Sequence, residues 1–331
     1  MPTLWFSYSY PVADPHRTPE PIRSPYDRTW HVARMLHQKA TERGWQFRYV
    51  NLDDTRPYVI GKEDVVIGHL WFNDNSFMQQ ALEQECRLKV CMQPYTSHMV
   101  GDEALPTLHK YWQLADKLLL ITGPYWWDTM DETPFAPYKA KAVRLDNSVN
   151  ATLHPFLKRK WNPPGQRAAI AIGYDNPVKG MDKVAELARI TGLRIGVFGA
   201  VSPALFQQVP QARLYGGVAF MPDVIQRIVD EYDFFITMGR FDANPTALHE
   251  TACWGLIPFC TPQSGYWLGQ PFYSLSLDDM AENWKTLDKF QHMSEYDLMR
   301  KARQQRTIQE EMYTWDNVLD TIWGEIREYL D

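Results

Sequence analysis

Short apolar runs alternate with amphipathic segments along the whole chain. Residues 3–10 (TLWFSYSY) form an apolar and aromatic run typical of a buried strand. Residues 28–44 place Val32 and Leu36 on one helical face and reach Gly44, which predicts a helix ended by glycine. The same reasoning predicts strands at 46–52, 64–72, 88–93 and 117–122, and a helix at 105–116. Alternating strands and helices indicate βαβ units and a parallel sheet.

Residues 154–166 (HPFLKRKWNPPGQ) interrupt this alternation. The segment has three prolines, Gly165 and the basic residues 158–160, which we expect to be solvated, and its composition is that of a linker. The alternation then restarts with strands at 167–174, 193–199, 233–239 and 256–261, and helices at 181–192, 223–232 and 246–255. Residues 310–330 read as one long amphipathic helix. We therefore predict two α/β domains, 1–155 and 156–310, and a terminal helix, 311–331.

Charge and composition narrow the class of protein. A net charge of -6 over 331 residues gives no field that attracts nucleic-acid phosphates or an anionic bilayer. No apolar run approaches the roughly 18 residues of a membrane span, and the first residues lack the pattern of a signal peptide. The four cysteines have no zinc-site spacing, which favours free thiols in a reducing compartment. We expect a cytoplasmic protein, or one peripheral to a membrane, with no integral membrane segment.

Several well-defined catalytic motifs are missing from the sequence. It has no GxxxxGK[ST], no GxGxxG after the first strand, no GxSxG and no HExxH. These absences argue against a P-loop NTPase, a dinucleotide dehydrogenase, an α/β-hydrolase and a metalloprotease.

One stretch, DANPTALHETACWGLIP at 242–258, carries candidate chemistry. It follows the predicted buried strand 233–239 and opens a helix, with Asn244 as the expected N-cap and Pro245 in the first turn. A helix N-terminus at the carboxyl edge of a sheet binds anions, and carboxylates such as Asp242 and Glu250 suit vicinal hydroxyls. Taken alone, the two carboxylates could equally be solvated charges on a helix.

The wider context resembles the retaining glycosyltransferases of family 4 (glycosyl transferases group 1). Glu250, Ala252, Gly255 and Pro258 match the second half of that family's E-x7-E segment, and Asp242 stands where its first glutamate would be. Further segments similar to the family's pattern follow in its order, at 115–123, 145–156, 171–188 and 193–199. Together they cover most of residues 110–265.

The resemblance implies a GT-B fold. Two Rossmann-like α/β/α domains would face one another across a cleft, with the C-terminal helix crossing back to the N-terminal domain. The N-terminal domain would bind the acceptor, which is a small molecule, a glycan or a lipid-linked sugar. The C-terminal domain would bind a nucleotide-diphosphate sugar, most simply a UDP- or GDP-sugar, as donor substrate. No other cofactor and no metal ion is implied, and residues 216–223 would lie near the base.

The resemblance also implies roles for individual residues. Glu250 would hold the ribose hydroxyls, and Asp242 the hydroxyls of the transferred sugar. Lys179, next to Gly180 in the family's Lys-Gly pair, would stabilise the leaving diphosphate. The amides after Pro245, those of Thr246 and Ala247, would bind the same group.

Three positions depart from the family pattern. Tyr174 stands where the family has an arginine that contacts the diphosphate, so we predict that Arg240 supplies this charge, with Arg17 or Arg23 as alternatives. The glycine-rich turn after the first strand is replaced by Ser9 and a proline-rich loop at 10–25. A catalytic histidine of the N-terminal domain is not at its usual place, which leaves His69 as our candidate beside Tyr95 and His98.

The function predicted from these observations is transfer of a sugar from the donor to an acceptor hydroxyl. Two alternatives stay open at this point. One is a different enzyme on the same fold, such as a nucleotide-sugar epimerase or a phosphorylase, and the other is a catalytically silent protein that binds a nucleotide-sugar.

Overall fold

The computed structural model describes residues 1–8, 28–52, 54–97, 105–267 and 272–331, with the backbone alone at 28–31. The chain forms two compact units. The first unit contains residues 1–122, 129–146 and 315–331, and the second contains residues 123–128 and 147–314. The proline-rich loop at 10–25 lies outside the described residues.

The first unit is built on a six-stranded parallel sheet. Its strands are β1 (Thr3–Tyr8), β2 (Gln46–Asn51), β3 (Val65–His69), β4 (Leu88–Pro94), β5 (Lys117–Ile121) and β6 (Ala142–Leu145). Their order is β2-β1-β3-β4-β5-β6, and every neighbouring pair is parallel. The helices of the unit are α1 (Arg28–Glu42), α2 (Phe77–Glu83), α3 (Leu105–Leu114) and, near the end of the chain, α10 (Trp315–Ile326).

The core of the first unit explains why α10 belongs to it. One face of α1 buries Ala33 and Leu36 against the sheet, as the spacing of its apolar residues requires. Ile322 and Ile326 of α10 are buried in the same core. Trp45 Nε1 donates to the carbonyl oxygen of Leu330 at 2.7 Å, so the last residues of the chain are also held there.

The second unit has its own six-stranded parallel sheet. Its strands are β7 (Ala169–Ile172), β8 (Ile195–Phe198), β9 (Ala212–Gly216), β10 (Phe234–Thr237), β11 (Ile257–Cys260) and β12 (Tyr273–Ser274). The order is β12-β11-β10-β7-β8-β9. The helices are α4 (Pro124–Thr129, whose last residue is assigned to the first unit), α5 (Met181–Thr191), α6 (Pro222–Glu231), α7 (Thr246–Trp254), α8 (Met280–Gln291) and α9 (Glu295–Glu311). The predicted architecture, two α/β halves on parallel sheets, is confirmed.

Residues 154–166, predicted as a linker, lie inside the second unit, which begins at Asn147. The expectation that the basic residues there are solvated is wrong for Lys158. Lys158 is 2% exposed and its Nζ lies 2.9 Å from Asp233 Oδ1, which is also buried. Lys158 also donates to the carbonyl oxygens of Val229 and Tyr232 at 2.8 Å. Burial lowers the pKa of Lys158, and the Asp233 carboxylate opposes that shift.

The prediction of one continuous helix at 310–330 is also wrong, because the chain forms two helices there. α9 ends at Glu311 and α10 begins at Trp315. Between them, Tyr313 is buried and its carbonyl oxygen accepts from the amide of Val149 at 3.0 Å. The hydrophobic pattern does not reveal such a break, because the apolar residues before it and after it both keep a helical spacing.

Two further predictions from the sequence concern membrane-spanning helices and the cysteines. In the part of the chain that the structure describes, no helix is long and apolar enough to cross a membrane. All four cysteines are free, and Cys91, Cys253 and Cys260 are buried. Burial raises the pKa of the Cys253 thiol to about 12, so it behaves as a small apolar side chain.

Candidate functional site

The strand order of the second unit defines where a ligand would bind. β7 is the first strand of its sheet, and the chain adds β8 and β9 on one side of it and β10, β11 and β12 on the other. β7 and β10 are neighbours in the sheet. The chain leaves β7 towards one edge of the sheet and leaves β10 towards the other edge. Open parallel sheets bind ligands at this switch point, outside the carboxyl ends of the strands.

An ion pair joins the two loops at the switch point. Lys179 follows β7 at the end of a short 3-10 turn, and Asp242 follows β10. Lys179 Nζ donates to Asp242 Oδ2 at 2.7 Å. Asp242 is 7% exposed, whereas Lys179 keeps more contact with solvent. The structure thus brings together two residues that the sequence analysis assigned to one site.

The main chain around this pair fixes its position. Gly180 has φ 59°, and a Cβ atom there would clash with the carbonyl oxygen of Met238, just after β10. Only glycine fits this close approach. The amide of Arg240 donates to the carbonyl oxygen of Val178 at 2.9 Å. The close approach at Gly180 and this backbone hydrogen bond together hold the two loops against one another.

Arg240 is engaged by a different carboxylate. Its guanidinium donates from Nη1 and Nη2 to the two oxygens of Asp182 at 2.7 and 2.5 Å, in a bidentate arrangement. Hydrogen bonding to Arg240 lowers the pKa of Asp182, and the same bond raises the pKa of Arg240. Both side chains are partly exposed, so the pair lies at the surface of the same loop system.

The helix α7 begins at Thr246, as predicted, but its N-cap differs from the prediction. Pro245 is its N-cap, and Thr246 and Ala247 are in the first turn, where amides lack acceptors within the helix. Asn244, the predicted N-cap, instead has φ 63° in the left-handed region, which asparagine tolerates better than most residues. Its side chain makes no cap and points to another set of partners.

Those partners form a buried polar network that the sequence analysis missed. His249 Nε2 lies 3.0 Å from Asn244 Oδ1, and His249 Nδ1 lies 2.6 Å from Gln309 Oε1. The hydroxyl of Tyr266 contacts both His249 and Asn244. All four side chains are essentially inaccessible. Because Gln309 comes from α9, no local sequence signal points to this contact.

The segment 123–128 supplies a second contact that the sequence analysis missed. Trp126 is buried and its Nε1 donates to the carbonyl oxygen of Asp242 at 3.2 Å. Gly123 lies against the backbone of Gly265, where a side chain would clash, and Tyr125 N donates to the carbonyl oxygen of Gly265 at 3.1 Å. The segment 123–128 therefore contacts both the loop that carries Asp242 and the turn at Gly265.

The sequence analysis also named Glu250, Tyr174 and several other residues as parts of the site. Glu250 is half-buried on α7. Tyr174 is 50% exposed, and its ring lies 5.7 Å from Lys179 Nζ, within range of a cation–π contact. Arg17, Arg23 and His98 lie outside the described residues.

His69 and Tyr95 belong to the first unit. His69 ends β3, and burial lowers its pKa to about 4, so it is neutral at physiological pH. Tyr95 is 2% exposed and its hydroxyl lies 3.1 Å from Thr133 Oγ1, which ties it to a neighbouring loop. Among the described residues, no group of three His, Cys, Asp or Glu side chains could hold a metal ion.

Comparison with solved structures identifies the fold as GT-B. HepE from Anabaena, in complex with UDP and glucose, matches with a TM-score of 0.64 at 8% identity, over 99% of this chain and 100% of that one. Sucrose-phosphate synthase from Thermosynechococcus elongatus matches with a TM-score of 0.65 at 8% identity, over 99% of both chains. TarM matches with a TM-score of 0.57 at 9% identity, over 80% of this chain and 55% of that one.

Sequence comparison gives no such match. No family profile matches the chain, and no curated protein is significantly similar to it in sequence. Because the structural matches are so low in identity, they establish the fold and leave the reaction to be argued from the site. The chain also spans only about half the length of TarM, although it spans all of HepE.

Proposed function

We propose that the chain is a glycosyltransferase that moves a sugar from a nucleotide-diphosphate sugar to an acceptor hydroxyl. The observation that carries this proposal is the Lys179–Asp242 ion pair at the switch point of a Rossmann-like sheet within a GT-B fold. In this proposal, Lys179 is the cation for the leaving diphosphate and Asp242, in contact with it, is the carboxylate for the sugar hydroxyls. Two of the structural neighbours, HepE and TarM, were crystallised with UDP, which supports a UDP-sugar as the first donor to try, ahead of a GDP-sugar.

The pairing suggests how a donor would be received. Without a ligand, Lys179 and Asp242 neutralise one another. A bound diphosphate competes for the Lys179 ammonium and leaves the Asp242 carboxylate to accept hydrogen bonds from the sugar. The amides of Thr246 and Ala247 add donors for the diphosphate at the N-terminus of α7, and Glu250 on the same helix accepts from the ribose hydroxyls.

In the proposed reaction, the bond between the anomeric carbon and the phosphate oxygen breaks, and its electron pair stays on the diphosphate. The acceptor oxygen forms the new bond on the same face, and its proton passes to a phosphate oxygen. Lys179 stabilises the charge that develops on the leaving group. This scheme retains the anomeric configuration and uses no metal ion.

The test is a panel of UDP-, GDP-, ADP- and dTDP-sugars, with release of the nucleotide diphosphate measured with and without EDTA. We expect slow hydrolysis of one donor that EDTA leaves unchanged, and loss of most of it in Asp242→Asn and Glu250→Gln. Asp230→Asn on α6 is the control, because Asp230 is exposed and bonds only to Gln226 in the structure. Equal activity in all four proteins would contradict the proposal, and NMR of the product gives its anomeric configuration.

A second candidate, binding without transfer, is favoured by two observations. Tyr174 replaces the expected arginine, and Arg240 is held by Asp182 rather than by Asp242. Tight binding of one nucleotide-sugar with no release of nucleotide would support this candidate. Interconversion of two donor sugars in the same panel would instead indicate an epimerase.

A further inference from the structure

Asn244 forms the tight turn between the loop that carries Asp242 and the helix α7. Its φ of 63° lies in the left-handed region, and it comes directly before Pro245, which restricts its backbone further. Its amide donates to the carbonyl oxygen of Asp242 at 3.0 Å. The conformation of Asn244 therefore sets two directions at once: that of the Asp242 loop before it and that of the first turn of α7 after it.

Contacts from other parts of the second unit hold Asn244 in this conformation. Asn147 Nδ2 donates to its carbonyl oxygen at 2.9 Å, and the Tyr266 hydroxyl donates to its side-chain oxygen. His249 Nε2 lies 3.0 Å from the same side-chain oxygen. An unfavourable backbone conformation persists only when the surrounding structure supports it, and such residues concentrate at functional sites.

The geometry of α7 places His249 to support Asn244. His249 is the fourth residue of the helix, and long helical side chains lean towards the N-terminus, so its ring reaches back to a residue that precedes the helix. The ring is itself held in place. Its Nδ1 lies 2.6 Å from Gln309 Oε1 of α9, and the Tyr313 ring packs 4.6 Å from it. Asn244 is thus connected through one imidazole to a second helix.

The chemistry of position 249 differs from that of its neighbours on α7. Leu248 and Ala252 fill the core with apolar atoms alone. An imidazole is costly to bury unless its nitrogens have polar partners, and each nitrogen of His249 meets a side-chain oxygen, one of them from Asn244. An apolar residue would fill the same space without this contact. Packing alone therefore does not account for a histidine here, whereas support of Asn244 does.

We propose that His249 is a positioning residue of the donor site. Through Asn244, it fixes the turn that orients the Asp242 carboxylate and the amides of Thr246 and Ala247. His249 is 0% exposed, so it acts on a donor only through Asn244. This role rests on the proposed glycosyltransferase function.

The first test compares His249→Phe with His154→Phe. Both histidines are buried in the second unit, and both contact α7, since His154 Nδ1 accepts from Trp254 Nε1 at the other end of that helix at 3.0 Å. The substrate is the donor identified by the panel of UDP-, GDP-, ADP- and dTDP-sugars, at a temperature where circular dichroism shows both variants folded. We expect kcat/KM for this donor to fall about tenfold in His249→Phe, as for one or two lost hydrogen bonds. In His154→Phe it should stay within about twofold of the native value.

The second test asks whether His249 acts through Asn244. Glycine adopts a positive φ without steric cost, so the turn in Asn244→Gly needs no support through a side chain. Adding His249→Phe to Asn244→Gly should therefore lower kcat/KM by less than about twofold, against about tenfold in the native background. A residue that only packs the core would lower kcat/KM by the same factor in both backgrounds.

Tyr266→Phe replaces His249→Phe in both tests if that variant does not fold. It removes one hydroxyl from the same network and keeps the ring, and it should lower kcat/KM about three- to fivefold in the native background only. Three results would overturn the proposal: native kinetics in the network variant, an equal loss in His154→Phe, or the same factor with and without Asn244→Gly.

The donor panel keeps this role distinct from the proposed function. If the native protein hydrolyses a donor and the network variant hydrolyses it equally well, the role of His249 is wrong and the transferase proposal stands. If the native protein neither binds nor hydrolyses any donor of the panel, the transferase proposal fails, and the role of His249 fails with it.

Discussion

Lys179 Nζ lies 2.7 Å from Asp242 Oδ2, so the loops after β7 and β10 are joined by an ion pair at the switch point of the second sheet. Neither residue is close to the other in sequence. The pair holds a cation and a carboxylate in one place at the carboxyl edge of the sheet.

Removing the cation should slow donor cleavage. In Lys179→Met, we expect the kcat for donor hydrolysis to fall about 100-fold, because the leaving diphosphate loses preorganised positive charge. Lys183→Met is the matched control, since Lys183 pairs at the surface with Glu186 on α5. Steady-state kinetics of both variants decide the matter, and similar kcat values in both would rule out the role of Lys179.

Arg240 should contribute if it replaces the charge that Tyr174 cannot supply. We expect Arg240→Ala to lower kcat/KM for the donor about tenfold, or about 1.4 kcal/mol. Arg227→Ala removes a comparable surface ion pair on α6 and should have no effect. If Arg240→Ala keeps both donor affinity and turnover, Arg240 serves only to hold Asp182.

A side chain at position 180 should destabilise the protein for two reasons: the backbone there has a positive φ, and no room is left for a Cβ atom. Gly180 and Gly192 both have positive φ, at 59° and 67°, but only Gly180 faces a backbone oxygen that a Cβ atom would strike. Gly192→Ala should therefore cost about 1–2 kcal/mol of unfolding free energy. Gly180→Ala should cost about 1–3 kcal/mol more, through overpacking. Urea denaturation compares the two, and equal losses would show that the close approach to Met238 is unimportant.

His69 should make stability depend on pH. Its pKa falls from an ordinary value of 6.5 to about 4 in the folded chain, so between these values the unfolded chain binds more protons. Stability is then full above pH 6.5 and decreases as the pH falls towards 4. From pH 7.5 to 5.5 the loss due to His69 is about 1.3 kcal/mol. Urea denaturation should show this difference in the native protein and a smaller one in His69→Gln; the same pH dependence in both would contradict the assignment.

Much of the fold could be predicted from the sequence. The buried strands β7, β10 and β11 are short apolar runs, and helices such as α1 and α5 carry a clear apolar face. These signals are local, because hydrophobic periodicity depends on which side of a helix or strand faces the core. They were enough to predict two α/β halves on parallel sheets, which the structure confirms, whereas the GT-B fold was predicted from the resemblance to a known family.

The candidate site was predicted only as a set of separate residues. The sequence named Lys179, Asp242 and Arg240, but it assigned Arg240 to the ligand, whereas the structure pairs it with Asp182. Trp126 supports Asp242 from a segment 116 positions away. The roles of all these residues in binding or catalysis stay predictions.

The sequence by itself indicated most of the strands and the helices α1, α3, α5, α6 and α7, because each of these depends on neighbouring residues along the chain. The tertiary structure alone decided that Lys158 is buried against Asp233, that Lys179 meets Asp242, and that His249 of α7 meets Gln309 of α9. These contacts depend on the order of strands in each sheet. That order is set by the packing of the whole unit, and no local pattern of residues records it.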